Sequence, residues 1–113
     1  MGVDLVDWLR VEADRATANA SQAGGPSDAA NFYAGCADAL REGAELAAEA
    51  ASAEALAALF DDMAVTKQGM TARSFDDSVW KSGYAEALQH AAASLRSGSR
   101  AIDWKLLRPT PFR

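Results

Sequence analysis

The sequence has few residues that break helices or join segments covalently. Only three prolines occur in 113 residues, at positions 26, 109 and 111. Residues 27–108 are therefore free of proline, as a chain built from helices requires, because a proline ring removes a helical hydrogen bond and clashes with the preceding turn. The single cysteine, Cys36, excludes an internal disulfide and is typical of a reducing compartment.

Signals for a membrane or for secretion are also missing. No stretch approaches the roughly 20 apolar residues that a membrane-spanning helix needs. Residues 1–16 carry acidic side chains early and lack the basic region and apolar core of a secretory signal. We therefore expect a cytoplasmic protein without a membrane partner.

Charge is unevenly distributed along the chain. Residues 1–95 hold six basic and fifteen acidic side chains, a net charge of −9, whereas residues 96–113 hold five basic side chains and one acidic, a net charge of +4. The acidic part should repel nucleic acid, so we expect no direct nucleic-acid partner. The basic end can either fold onto the acidic part or hold another molecule.

A nine-residue phrase occurs twice. The copies are FYAGCADAL at residues 32–40 and WKSGYAEAL at residues 80–88, which lie 48 positions apart. Glycine inside a helix costs up to about 1 kcal/mol relative to alanine, so Gly35 and Gly83 indicate a packing requirement. We expect two equivalent helices that cross near these glycines, either within one chain or between the two chains of a dimer.

The periodicity of the first half predicts two helices. The first should run from Asp4, its cap, to about Ala20, with a buried stripe that only Glu12 interrupts. The second should run from about Ser27 to at least Ala50, with Ser27 or Asp28 serving its free amides. Its predicted seam has heptad spacing and consists of Phe32, Cys36, Ala39, Gly43, Leu46 and Ala50.

The second half predicts two more helices. Ser52 can cap the third after a break near residues 51–53, although the second and third helices could also form one continuous rod. A loop over residues 67–73 should precede the fourth helix, at residues 75–96, which Ser74 caps and Gly98 ends. The predicted fold class is all-α, a four-helix bundle over residues 1–98 with the internal repeat at 32–40 and 80–88.

Residues 99–113 are predicted to form a short helical or extended segment, which we name the C-terminal arm. Ser99 can start a short helix in it, and two prolines end that helix. The arm either wraps around its own bundle or grips a partner, since aromatic and arginine side chains often anchor interfaces. The predicted partner-binding residues are Phe32, Tyr33, Trp80, Tyr84, Trp104, Phe112 and Arg113.

Catalytic and metal-binding patterns are sparse, and we expect no catalytic residue, no cofactor and no metal ligand. The only histidine, His90, lacks the spaced partners of a metal site, and a nucleophilic pair with Cys36 would need the second and fourth helices to meet there. Glu42-Gly43-Ala44-Glu45 resembles the first half of the Glu-x-x-Glu motif of MazG-type nucleotide pyrophosphatases. The Glu-x-x-Asp that completes that motif is missing, which leaves a solvated acidic helix face as the simpler interpretation.

The doubled phrase and the alanine-rich acidic helices resemble short helical accessory proteins of actinobacteria and their phages. The resemblance covers mainly residues 32–40 and 80–88. It implies a small cytoplasmic or virion-associated protein without catalytic residues. We therefore predict a non-enzymatic interaction or assembly protein that binds a protein partner or itself through the glycine-containing helix seam and the basic aromatic C-terminal arm. The alternatives are an acidic inhibitor that fills a basic groove, for example of a nuclease, and a magnesium-dependent nucleotide hydrolase.

Overall fold

The computed structural model describes residues 2–109, with side chains from Asp4 onward. Over that range it contains four helices and no strand: α1 (Gly2–Ala23), α2 (Asp28–Ala47), α3 (Ala53–Gly69) and α4 (Phe75–Ser97). The predicted all-α bundle is confirmed. None of the four helices is both long and apolar enough to cross a membrane.

Serine caps fix the starts of three helices. Each serine has an extended backbone, and its hydroxyl accepts a hydrogen bond from the N–H three residues further on: Ser27 from Ala30, Ser52 from Ala55, and Ser74 from Asp77. These bonds satisfy amides that have no partner inside the helix. The predicted break before α3 is thereby confirmed, with residues 48–52 between the helices, and the continuous rod is not formed.

Some predicted helix ends are wrong. α1 begins at Gly2, so Asp4 lies in its first turn and does not cap it. α2 ends at Ala47, three residues early, where the Ala48 N–H bonds to the Leu46 carbonyl. α3 continues to Gly69, so residues 67–69 are helical, because Lys67 in the last turn packs over aromatic rings of α4.

The helices form two hairpins that meet through their second members. α1 packs on α2, α3 packs on α4, and α2 packs on α4 at the centre. α2 and α3 touch only slightly, and no Cα atom of α1 lies within 8 Å of α3 or α4. Each outer helix is therefore separated from the opposite inner helix by a furrow.

The repeat extends beyond the two nine-residue phrases. Adding 48 to the bounds of α1 gives residues 50–71, and adding 48 to those of α2 gives residues 76–95, close to α3 and α4. Buried positions correspond as well, since Ala16 and Ala64 are both fully buried, as are Leu40 and Leu88. The chain is therefore a duplicated helical hairpin whose halves share one hydrophobic core.

The predicted short helix after Ser99 is wrong. Residues 99–103 form no regular secondary structure, and a turn follows in which the N–H groups of Leu106 and Leu107 both bond to the Asp103 carbonyl. The Ala101 carbonyl accepts the hydroxyl of Ser94 on α4, and the Ile102 N–H bonds to a carboxylate of α1. These bonds hold this part of the arm against the bundle.

Candidate functional site

Gly35 and Gly83 lie where the backbones of α2 and α4 touch. A Cβ atom on Gly35 would lie 2.0 Å from the carbonyl oxygen of Trp80, and one on Gly83 would lie 2.0 Å from the carbonyl oxygen of Phe32. Trp80 and Phe32 are themselves 48 positions apart, so the two contacts are reciprocal. The predicted crossing at the glycines is confirmed, and it forms within one chain.

Gly43 serves a different contact from the one that the heptad seam predicted. A Cβ atom there would lie 2.8 Å from the Phe60 ring of α3. Leu46, the next seam position, is 40% exposed. The seam therefore does not face one partner helix along its whole length, since Gly35 meets α4 and Gly43 meets α3.

Cys36 is a core residue of the crossing. Its side chain is fully buried, and the thiol donates to the Gly83 carbonyl oxygen at 3.3 Å. Burial raises the pKa of the thiol, and the Glu86 carboxylate acts in the same direction. The helices do meet here, but no hydrogen bond joins Cys36 to His90 in the described chain. A buried thiol held in its neutral form is a poor nucleophile.

We expect Cys36 to resist thiol reagents in the folded protein. The thiolate is the reactive species, and both burial and the raised pKa keep it rare. Absorbance with a disulfide reagent such as DTNB should show slow modification of the native protein and complete modification in guanidinium chloride. Modification of the native protein as fast as that of free glutathione would contradict this.

An aromatic cluster joins three helices on one side of the crossing. The Trp80 and Tyr84 rings lie 5.4 Å apart, and the Lys67 ammonium lies 5.3 Å and 4.4 Å from their respective centroids. The Trp80 indole N–H donates to the Asp38 carboxylate at 3.0 Å, and the Tyr84 hydroxyl donates to Glu42. Burial and the Glu42 carboxylate raise the pKa of Tyr84, which keeps the phenol protonated as a donor. The cluster ties α4 to α2 and already holds one cation.

On the opposite side, the arm fills the furrow between α1 and α4, which we name the arm furrow. At its base lies Glu12, only 1% exposed. One carboxylate oxygen accepts the Ile102 N–H at 3.0 Å and the Trp104 indole N–H at 3.2 Å, and the other accepts from Arg15 at 2.8 Å. Glu12, the one polar residue in the buried stripe of α1, therefore anchors the arm.

Apolar contacts complete the docking of the arm. Ile102 and Leu107 are buried and belong to the main hydrophobic core. The Trp104 ring lies 6.4 Å from Tyr33 of α2, and the Arg100 guanidinium lies 5.8 Å from the Trp8 ring of α1. Residues 100–107 therefore pack on their own bundle within the single chain, and contact of the arm with a partner stays a prediction.

The furrow between α2 and α3 holds no other segment of the described chain, and we name its apolar end the open groove. This groove has a volume of about 260 Å³ and is lined by Leu46, Glu49, Ala50, Ala55, Leu56 and Leu59. Leu46 and Leu59 leave 40% and 39% of their surfaces exposed on its two sides. The two leucines therefore leave apolar surface exposed on both sides of the groove.

Carboxylates follow the exposed face of α2, and Glu49 at one end of the row lines the open groove. An acidic ridge, consisting of Asp38, Glu42, Glu45 and Glu49, follows α2 at spacings of four, three and four, and all four residues are exposed. Arg41, which lies 3.7 Å from Asp38, is the only basic residue of α2. Because the ridge runs from the aromatic cluster to the open groove, both lie in a negative field.

The seven predicted partner-binding residues differ in how far their side chains are buried. Phe32 is fully buried, so its side chain has no surface to offer a partner, and Tyr84 is 3% exposed. Tyr33, Trp80 and Trp104 are partly buried, and each already contacts another side chain of the same chain. Phe112 and Arg113 lie outside the described residues.

Sequence reasoning missed Glu12, Leu46 and Leu59 as site residues. Glu12 gave a signal, since a carboxylate in an apolar stripe needs a buried donor. Leu46 and Leu59 gave none, because both occupy apolar positions of their helices and only the separation of α2 from α3 exposes them.

The Glu-x-x-Glu pattern lies at residues 42–45 of α2. In the described residues, no three histidine, cysteine or carboxylate side chains are grouped closely enough to hold a metal ion. Glu42 accepts the Tyr84 hydroxyl on the α4 side, whereas Glu45 lines a groove against Arg10 and Arg41 on the α1 side. The two carboxylates of the Glu-x-x-Glu pattern therefore point to different surfaces.

Comparison with known proteins identifies no family for the chain. No protein-family model, no curated protein and no solved structure matches the chain.

Proposed function

We propose that the protein is a non-enzymatic binding protein that recognises a basic segment of another protein. The observation that carries the proposal is the acidic ridge of α2, which is exposed beside an apolar groove. Glu45 and Glu49 have no ion-pair partner within the described residues. Charge of one sign next to exposed apolar surface is the usual composition of a site for a basic amphipathic segment.

An inhibitor that fills a basic groove of its target is a narrower form of the same function. The ridge supports it equally, because either partner would present lysine and arginine side chains. In both cases the charges chiefly raise the rate of association and choose the partner, while apolar contacts slow dissociation.

Neutralising the ridge tests this proposal. We expect the double variant Glu45→Gln/Glu49→Gln to bind lysine- and arginine-rich synthetic peptides at least about threefold more weakly, as measured by fluorescence anisotropy at low salt. Raising the salt from about 50 mM to about 300 mM should weaken binding by the unaltered protein, because screening shortens the range of the field.

The matched control makes the same change of net charge on another helix. The double variant Asp4→Asn/Asp7→Asn alters two exposed carboxylates at the start of α1 and should bind within about twofold of the unaltered protein. If every basic peptide fails to bind, or if both double variants bind alike, the proposed function is wrong.

A further inference from the structure

The two furrows of the duplicated hairpin are equivalent positions, and only one of them is filled. Adding 48 to the residues that surround the arm identifies their counterparts in the other furrow. Trp8, which lies under Arg100, corresponds to Leu56, and Ser94, which bonds to the Ala101 carbonyl, corresponds to Leu46. Leu56 and Leu46 both line the open groove. The open groove is therefore the counterpart of the site that Arg100 and Ala101 occupy.

We infer that the open groove is the docking site for a short, basic segment of a partner protein, seated as residues 100–104 sit in the arm furrow. The inference rests on the proposed function and adds the position and the chemistry of the ligand. An apolar side chain of the segment occupies the space between Leu46 and Leu59. Its flanking lysine or arginine side chains face the acidic ridge.

The difference between the furrows defines what the segment must supply. The base of the arm furrow is Glu12, a buried carboxylate that requires two N–H donors. Its counterpart, Phe60, is fully buried against Gly43 and has no polar atom to satisfy. The open groove therefore has no buried carboxylate to satisfy, and its exposed apolar surface comes from Leu46 and Leu59, which leaves charge recognition to the rim.

Charge complementarity favours a basic occupant. The rim of the furrow carries Asp38, Glu42 and Glu49, whereas Lys67 is already placed over the Trp80 and Tyr84 rings and Arg41 is paired with Asp38. The Lys67 contact shows that this end of the furrow accommodates an ammonium group. In the filled furrow, Arg100 likewise lies over the Trp8 ring.

A synthetic peptide of residues 99–113, labelled with fluorescein, is the probe. We expect it to bind the full chain, and we expect Leu46→Lys and Leu59→Lys each to weaken its binding at least about tenfold in an anisotropy titration, because each variant places a positive charge in the groove. Both leucines are about 40% exposed, so each variant should still fold, which circular dichroism and thermal unfolding verify.

Val11→Lys is the matched control, since Val11 is the counterpart of Leu59 and is 49% exposed beside the arm furrow. It should leave peptide binding within about twofold. If Val11→Lys weakens binding instead, the peptide exchanges with the chain's own arm and the inference is wrong. Equal binding by all variants would show that the peptide binds elsewhere. The inference about the open groove would then be wrong, whereas the proposed function would stand. The inference is also wrong if the unaltered chain binds other basic peptides but does not bind this one.

Discussion

Replacement of Gly35 or Gly83 by alanine is expected to destabilise the protein by about 3 kcal/mol or more. Either new methyl group would lie 2.0 Å from a backbone carbonyl oxygen of the facing helix. Neither carbonyl can rotate away, because each belongs to a helical backbone, so α2 and α4 must separate and give up packing across the core. The midpoint of thermal unfolding, followed by circular dichroism, should fall by more than about 10 °C.

The sign of this change in stability is informative. In an isolated helix, alanine is more favourable than glycine by about 1 kcal/mol, so without a clash the substitution would stabilise the protein. Gly69→Ala is the matched control, since a Cβ atom added there would meet no other atom within 4 Å, and it should leave stability unchanged or raise it slightly. Equal or higher stability of Gly35→Ala would refute the close crossing. The double variant should cost less than the sum of the two single variants, because both relieve their clash by the same separation of the helices.

Removal of the Glu12 carboxylate should have the next largest effect. Glu12→Ala leaves the Ile102 N–H and the Trp104 indole N–H without their acceptor in a buried site. We expect a loss of about 3 kcal/mol in the free energy of unfolding, because each buried donor without a partner costs about 1–3 kcal/mol. Glu12→Gln retains one acceptor oxygen and should cost about half as much.

Release of the arm distinguishes this effect from a general loss of packing. Hydrogen exchange at the Ile102 amide and tryptic cleavage after Lys105 should both accelerate in Glu12→Ala, more than exchange within α4. Arg15→Ala removes only the ion pair of an arginine that is 58% exposed, so it should change stability by less than about 1 kcal/mol. Unchanged protection of Ile102 in Glu12→Ala would contradict the anchoring role.

Local features of the chain made the architecture predictable. The serine caps at Ser27, Ser52 and Ser74 and the stop at Gly98 are short-range signals, and the structure confirms all four. The glycines at 35 and 83 were also predictable as a crossing, because an otherwise unfavourable residue recurs at the same place in both copies of the phrase. The docking of the arm on the bundle was not predictable, because its bonds to Glu12 span 90 and 92 positions of sequence.

The candidate site was less predictable than the fold. The seven residues predicted to bind a partner are aromatic or basic anchors, yet Phe32 and Tyr84 are needed inside the bundle. Exposure of Leu46 and Leu59 follows from the slight contact between α2 and α3, which no periodicity along either helix encodes. Only the acidic composition of α2 was visible beforehand, as a charged face without an assigned use.

The amino-acid sequence alone determined that this chain forms helices, where three of them begin, and that two of them approach each other at glycine. These properties depend on hydrogen bonds and steric limits within a few residues. The tertiary structure alone decided that one furrow is closed by the arm and the other is left open. That outcome depends on a single buried carboxylate in one half of the duplicated hairpin and a phenyl ring in its counterpart, because only the carboxylate requires donors from a distant segment.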